Sequence, residues 1–358
     1  MRAVITKANE LDANDVELWR IWQQSNPALS TPYLCVELFQ TMARHNESSR
    51  VAVLQEGNQT VGFLPFDRKA RRVGHTKCII TSHDFITDAN EVMTAADLTV
   101  LEYDYLVAGQ EAMFRPKDWK HEPAPVFDLS EGWDVWIERK KKSSSAVKKI
   151  LQKQRKLARD IGELNFVLRS NSHADLDLLM DWKAAQFVRT GRVDRFARPW
   201  FRAMLHDLID QESPYFTTYL STLRAGDRPV GLYVSVGSGN TAAGWFPTYD
   251  IELANYSPGM TLMMEHAEAA VAQGITKIEQ GRGYADYKEL LKDYDDYVIE
   301  GRSERPALAT YIRRAKTAPN RTAQKIVLGN PKLRVAARTT LNTIGRARMA
   351  LQTITNHS

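Results

Sequence analysis

Asn255 to Lys288 reads NYSPGMTLMMEHAEAAVAQGITKIEQGRGYADYK. Ser257 suits an N-cap and Pro258 the first helical position, and Leu262, Ala267 and Ala270 predict a helix that stops at Gly274. Such a helix has about four turns. Its first turn presents N–H groups without helical partners and the positive end of the macrodipole, and Gly259 has no side chain to hold a ligand away. Taken alone, the stretch reads first as a plain, well-made helix start, with an anion-binding end as the alternative.

Before it, Tyr215 to Leu223 (YFTTYLSTL) reads as a strand, RAGDRP as a turn and Val230 to Val236 as a second strand. GSGN makes another turn and Thr241 to Tyr249 a third strand. After the helix, Ile275 to Gln280 reads as a strand and runs into a loop dense in polar groups. The order is antiparallel meander, capped helix, strand, short helix.

This order resembles the GNAT acyltransferase superfamily, in which the helix after the central strand receives the pyrophosphate of acyl-coenzyme A and the acyl thioester lies in a splay between two strands. Within the superfamily the chain is similar to the CelD-like branch, related to the Fem-type peptidyltransferases. Tyr256, Ser257, Pro258 and Gly259, then Glu279, Gly281, Arg282, Gly283, Tyr287 and Lys288 carry that likeness. Two departures are visible. The strand acid of the family is aspartate and here is Glu279, and an aromatic that follows Tyr-Lys is replaced by Leu290 and Leu291.

With 358 residues, 43% apolar and 25% charged, the chain suits two domains and an extension. Cys35 and Cys78 are the only cysteines, which points to no disulfide framework, no metal cluster and a reducing compartment. No apolar run reaches 18 residues and Met1 to Glu10 lacks a signal-peptide core, so the expected location is cytoplasmic. Residues 301–358 hold 12 Lys/Arg against Glu304, whereas the first 300 hold 36 basic and 42 acidic residues. A basic tail on an acidic body argues against nucleic acid as the main partner of the folded part. In the tail Leu333, Ala337, Leu341, Ile344, Ala347, Leu351 and Ile354 follow a helical stripe. A basic amphipathic helix of that kind lies on an anionic membrane, which would place the protein at its inner face, or packs on the body.

In the first half, Val16, Leu18, Trp19 and Trp22 predict a helix over Asp15–Gln24 capped by Asn14, with both tryptophans in the core. Tyr33 to Ala43 reads as a second helix. VAVLQEGNQTVGF (51–63) and YLSTLRAGDRPVGL (219–232) share strand, glycine turn and Val-Gly restart, with Val61 and Val230 169 residues apart. That echo agrees with the duplicated GNAT core of the resembled families. Cys78 to Thr81 reads as a strand, and Asp84 after it is either an acceptor-facing carboxylate, as the resemblance implies, or a helix cap. Leu101 to Val107 and Ala124 to Leu129 complete this half as strands.

Ser143–Ser145 leads into a helix over Ala146–Arg159, and ten basic residues lie between Arg139 and Arg159. They suit a solvated helix face, an anionic acceptor or the 3′-phosphate of coenzyme A, or RNA, although no aromatics are interleaved for base stacking. Asp175 to Phe187 and Trp200 to Ile209 read as helices around an Arg-rich loop, Arg189 to Arg198, which is either a connection or a cover for a cleft.

The expected fold is thus α/β (α+β): tandem GNAT-like domains, each a mixed, largely antiparallel sheet flanked by helices, plus a basic helical tail. The boundaries are 1–135 on the acceptor side, 136–300 on the acyl-coenzyme A side and 301–358. The implied activity is transfer of an acyl group, acetyl in the first instance, from acyl-coenzyme A to an amino or hydroxyl group of a polysaccharide, cell-envelope or lipid precursor. A Fem-type transferase using charged tRNA and an inactive membrane-docked scaffold are the alternatives. The implied site takes Trp245, Phe246, Ser257, Pro258, Gly259 and Met260 for the coenzyme, Glu279 as base, and Tyr287 or Tyr256 as proton donor to sulfur. Lys288 and Arg282 serve as charge partners, Asp84, Asp250 and Tyr256 face the acceptor, and no metal is involved. Pro247 is expected to break strand pairing beside the thioester.

Overall fold

A computed structural model describes residues 1–82, 87–115 and 117–306. Asp84 and, from residue 307 on, the basic tail lie outside the described residues. The first half runs β1 (Arg2–Thr6), α1 (Ala13–Ser25), α2 (Val36–His45), β2 (Ser49–Glu56), β3 (Gln59–Ala70), β4 (Val73–His75), α3 (Ala89–Ala95), β5 (Val100–Val107), α4 (Glu111–Phe114) and β6 (Lys117–Asp128). Next come α5 (Trp133–Ser143), α6 (Ser145–Asp160), β7 (Leu164–Val167), α7 (His173–Arg189), α8 (Pro199–Asp210), β8 (Thr217–Ala225), β9 (Arg228–Ser238) and β10 (Thr241–Tyr249). The chain closes with α9 (Pro258–Val271), β11 (Lys277–Glu279), α10 (Asp286–Leu291) and β12 (Tyr294–Glu304).

The described strands form one sheet in the order β1-β2-β3-β4-β5-β12-β6-β11-β10-β9-β8-β7. The segment β1 to β5 is repeated in kind by β7 to β11: antiparallel pairs first, then one parallel pair, β4 with β5 and β10 with β11. The Val-Gly echo of the sequence falls on β2–β3 and β8–β9, which hold equivalent places in the two repeats. The halves also exchange their last strands. β6 pairs with β11 of the second repeat, β12 pairs with β5 of the first, and β6 and β12 pair with each other. No bare edge is left between the repeats, because each strand end that would need a partner finds one in the other half. A boundary at 135/136 therefore divides the chain but not the sheet, and β12 continues to Glu304, past position 301.

Strand alternation sorts the core. On β9, Leu232, Val234 and Val236 join a buried cluster with Leu179, Phe201 and Met204 of α7 and α8. That cluster also takes Tyr33, Leu38, Tyr105 and Val298, so the two repeats share it. Gly231, Tyr233 and Ser235 instead meet Leu262 and His266 of α9. Trp19 is fully buried and donates from its ring nitrogen to Leu34 O at 2.8 Å.

Several local expectations need correction. Asp12, not Asn14, caps α1, accepting from Asp15 N at 2.8 Å. Tyr33 lies in a 3-10 turn, Pro32–Leu34, and α2 begins only at Val36, because extended backbone at Cys35 separates the two. Cys78 to Thr81 makes a single bridge, Ile80 to Phe63, and no strand. Among the described residues no helix is long and apolar enough to cross a membrane.

Candidate functional site: a cleft where β10 and β11 part

β10 and β11 are hydrogen-bonded only at Thr241–Ala243 with Lys277–Glu279. Beyond Gly244 and Gln280 they separate. On its other side β10 has a bulge, since Gly244 opposes Ser235 and Phe246 opposes Val234, leaving Trp245 as the extra residue. The break expected at Pro247 is thus at Trp245, and Pro247 keeps its register opposite Tyr233. Into the gap opens a cavity of about 630 Å³, walled by Gly244, Trp245, Phe246 and Pro247 on one side and Gln280 to Gly283 on the other. Tyr33, Lys77, Asp104 and Tyr105 of the first repeat complete it. Tyr33 donates its hydroxyl to Gly244 O at 2.5 Å.

A second cavity of about 500 Å³ continues from the first, sharing Lys183, Phe187, Arg192, Pro247, Arg282, Gly283, Tyr287 and Lys288 with it. It ends at Ser257, Gly259 and Met260, the start of α9. Ser257 occupies the cap position with left-handed backbone, φ 55°, and its hydroxyl makes no capping bond. That expectation fails because the hydroxyl is turned to Lys153 of α6, whose Nζ donates to it at 2.9 Å. A cation thus stands beside a helix N-terminus, and both favour the same kind of ligand, an anion. Met260 and Met263 line the apolar part of this end, while Pro258 is buried beneath it.

Tyr287 and Lys288 lie on α10 where the two cavities meet. The Lys288 ammonium donates to the carbonyls of Gly281, Arg282 and Gly283 at 3.0, 3.0 and 3.2 Å, wrapping the turn around itself. Gly281 and Gly283 have φ of 70° and 86°, which the wrapped turn requires and glycine tolerates. Burial, and then Arg192, lower the Lys288 pKa to about 8. Lys183 donates to Pro247 O at 2.6 Å, and burial, then Arg192 and Lys288, lower it to about 8 as well. Burial raises the Tyr287 phenol above its ordinary range. Arg282 pairs with Glu300 at 2.7 Å and Asp104 at 3.5 Å. For Asp104, burial pushes the carboxyl up, but His75, Arg282, Lys77 and Arg195 together outweigh it and hold it low.

Charge in the first cavity is unbalanced. Its carboxylates are Asp104, Glu122 and Glu300, which are engaged by His75, Arg282 and Lys120. Lys77 sits over the rings of Tyr33 and Tyr105 at 4.5 and 5.4 Å and, like Arg192 and Arg195, has no carboxylate partner among the described residues. The Arg-rich loop between α7 and α8 therefore lines the cleft through Arg192, Val193 and Arg195.

Three expected site residues stand elsewhere. Glu279 is buried, accepts from Thr31 at 2.6 Å, pairs with Lys277 at 3.2 Å, and is not among the residues lining either cavity. Asp250 caps the turn Ile251–Tyr256 and pairs with Arg228 at 2.5 Å, on a separate hollow with Trp182 and Arg189. Tyr256 donates to Asp160 at 3.1 Å and lies outside both cavities. Reading the sequence missed Tyr33, Lys77, Lys183 and Tyr233, which come from four separate segments of the chain and carry no local pattern. Among the described residues no group of three or more His, Cys, Asp or Glu is placed to hold a metal ion.

Residues 144–289 match the family described as Acetyltransferase (GNAT) domain. No curated protein matches the chain. The C-terminal DUF2156 domain of an Agrobacterium fabrum protein named as a lysylphosphatidylglycerol synthetase is similar in structure, at 12% identity over 85% of this chain and 96% of that one, with a TM-score of 0.53. FemX is similar at 11% identity over 80% and 94%, with a TM-score of 0.52. A tandem GNAT protein from the clavulanic acid biosynthesis pathway aligns at 15% identity over 86% and 99%, with a TM-score of 0.49. The likeness to the first two of these structures is one of fold.

Proposed function

We propose that the chain is an acyltransferase that moves an acyl group, acetyl in the first instance, from acyl-coenzyme A to an amino or hydroxyl group of an anionic polysaccharide, cell-envelope or lipid precursor. One observation carries the reading: the parting of β10 and β11 at Gly244 and the N-terminus of α9 at Gly259 lie along one continuous cleft. The residues present fit the coenzyme. The α9 terminus and Lys153 suit its phosphates, and the gap beside Trp245 and Phe246 suits an extended arm. The coenzyme supplies an activated thioester, so the protein has to bring the acceptor to it and manage one proton.

On the acceptor side, Lys77 of the first repeat and Arg192 and Arg195 of the loop between α7 and α8 are then available for an anionic group. Lys183 is placed to accept the acceptor's proton, since a lysine near 8 is partly neutral at working pH. Tyr287 is placed to give a proton to the departing sulfur, and Lys288 holds the turn that carries Arg282.

The test is thermal unfolding with and without acetyl-coenzyme A and longer homologues, on wild type, Gly259→Asp, Gly259→Ala and Lys153→Met. A ligand at a hundred times its dissociation constant adds about 2.7 kcal/mol. Any Cβ at 259 meets the Tyr249 ring at 2.9 Å, so Gly259→Ala controls for packing. The expected result is a shift that Gly259→Ala retains in part, Lys153→Met reduces and Gly259→Asp abolishes. No shift with any acyl-coenzyme A would leave charged tRNA as the donor or an inactive scaffold as the reading.

A further inference from the structure

Tyr233 leaves β9 on the α9 face and packs edge-on against His266, with ring centroids 4.8 Å apart. Its hydroxyl reaches Gly244, where a Cβ would fall well inside van der Waals contact with Oη. Glycine at 244 therefore leaves the hydroxyl its place. Tyr233 is 1% exposed, lines the first cavity, and has no hydrogen-bond partner for Oη among the described residues. A buried hydroxyl without a partner is unfavourable, and phenylalanine would fill the same space without that cost. The nearby Gly244 carbonyl is already served by Tyr33. The next residue, Trp245, is the extra residue of the bulge, which the strand ladder leaves out. A phenolic donor and the extra residue of the bulge thus belong to the one point where β10 leaves β11.

We propose that Tyr233 donates a hydrogen bond to the carbonyl oxygen of the bound acyl thioester and is a catalytic residue of the transfer. The assignment rests on the acyl-coenzyme A reading above. Burial holds the phenol protonated far above its ordinary range, so it acts as a donor that keeps its proton. When the acceptor's nitrogen or oxygen adds to the carbonyl carbon, the C=O π pair moves onto the oxygen that Tyr233 bonds. Collapse restores the C=O bond and breaks C–S, and the proton lost by the acceptor is balanced by one gained at sulfur. The bond strengthens as the oxygen gains charge, and so favours the transition state over the bound thioester.

The experiment measures dissociation constants of acetyl-coenzyme A and of S-ethyl-coenzyme A, a thioether without the carbonyl, for wild type and Tyr233→Phe by calorimetry, with the Tm of each unliganded protein. Wild type is expected to prefer the thioester by about threefold to tenfold. Tyr233→Phe is expected to bind both compounds alike, to keep the wild-type affinity for the thioether, and to melt no lower than wild type. An unchanged preference in Tyr233→Phe, or none in wild type, overturns the assignment. A lower Tm with both affinities lost overturns it too, making Tyr233 a packing residue. Failure of both compounds to bind wild type removes the acyl-coenzyme A reading itself and this assignment with it.

Discussion

The hydroxyl of Thr31 donates to Oε2 of Glu279 over 2.6 Å, tying the segment after α1 to the end of β11, 248 residues away. Both residues are buried, and Lys277 faces the other carboxylate oxygen at 3.2 Å. The pair fastens the first repeat to the strand from which β10 departs. Thr31→Val is expected to cost about 1.5–3 kcal/mol, the range for a hydrogen bond to a charged group, read as a lower urea midpoint at unchanged m. Glu279→Gln keeps an acceptor for Thr31, and Lys277 keeps Asp296 at 2.7 Å, so turnover should stay within about tenfold of wild type. A loss of about a hundredfold or more at unchanged stability would assign the base to Glu279.

Gly244→Ala places a methyl where Tyr233 Oη lies, and His266 and Tyr33 close the neighbouring space. Overpacking of this kind costs about 1–3 kcal/mol. The expected outcome is a lower Tm that Gly244→Ala combined with Tyr233→Phe partly restores; full additivity of the two changes would contradict the contact.

Lys183 and Lys288, lowered by burial to about 8 from an ordinary 10.5, give stability a definite pH dependence. Between these values the unfolded chain binds more protons than the folded one, so stability rises as pH goes from about 8 to about 10.5. Below about 8 the penalty of the two buried charges is fully present. The slope approaches about 1.4 kcal/mol per pH unit for each lysine. Lys183→Met should flatten it, measured by urea unfolding at stepped pH, and a slope equal to that of wild type would contradict the buried charge. The same variant should lose the rise in turnover as pH approaches 8 from below.

Arg195→Gln and Lys77→Met are expected to raise KM for an anionic acceptor by about tenfold and to leave KM for acetyl-coenzyme A unchanged. Glucosamine 6-phosphate and glucosamine, compared as paired probes by release of the free thiol, separate the charge from the amine. Equal use of the two by wild type would leave the cations without a role in acceptor choice.

The internal echo of VAVLQEGNQTVGF and YLSTLRAGDRPVGL, the Ser-Pro-Gly helix start and the strand alternation of β8 to β10 are local patterns, and they suffice for two repeats and for α9, whose start ends the cleft. Local pattern also brings Arg282 close to Tyr287 and Lys288, because the turn and α10 lie within a few residues of one another. It cannot place Glu279, whose strand position is right but whose side chain is turned to Thr31 and Lys277. Nor can it reveal that β6 and β12 change partners, since the pairing of distant strands leaves no mark in their own periodicity. Periodicity and capping are short-range physics, and so the sequence by itself determined α9 and the strands β8 to β10, but not the start of α2 or the single bridge at Ile80. Tyr33, Lys77, Lys183 and Tyr233 come together only once the sheet is assembled and β10 bulges at Trp245, because burial and charge balance belong to the assembled fold.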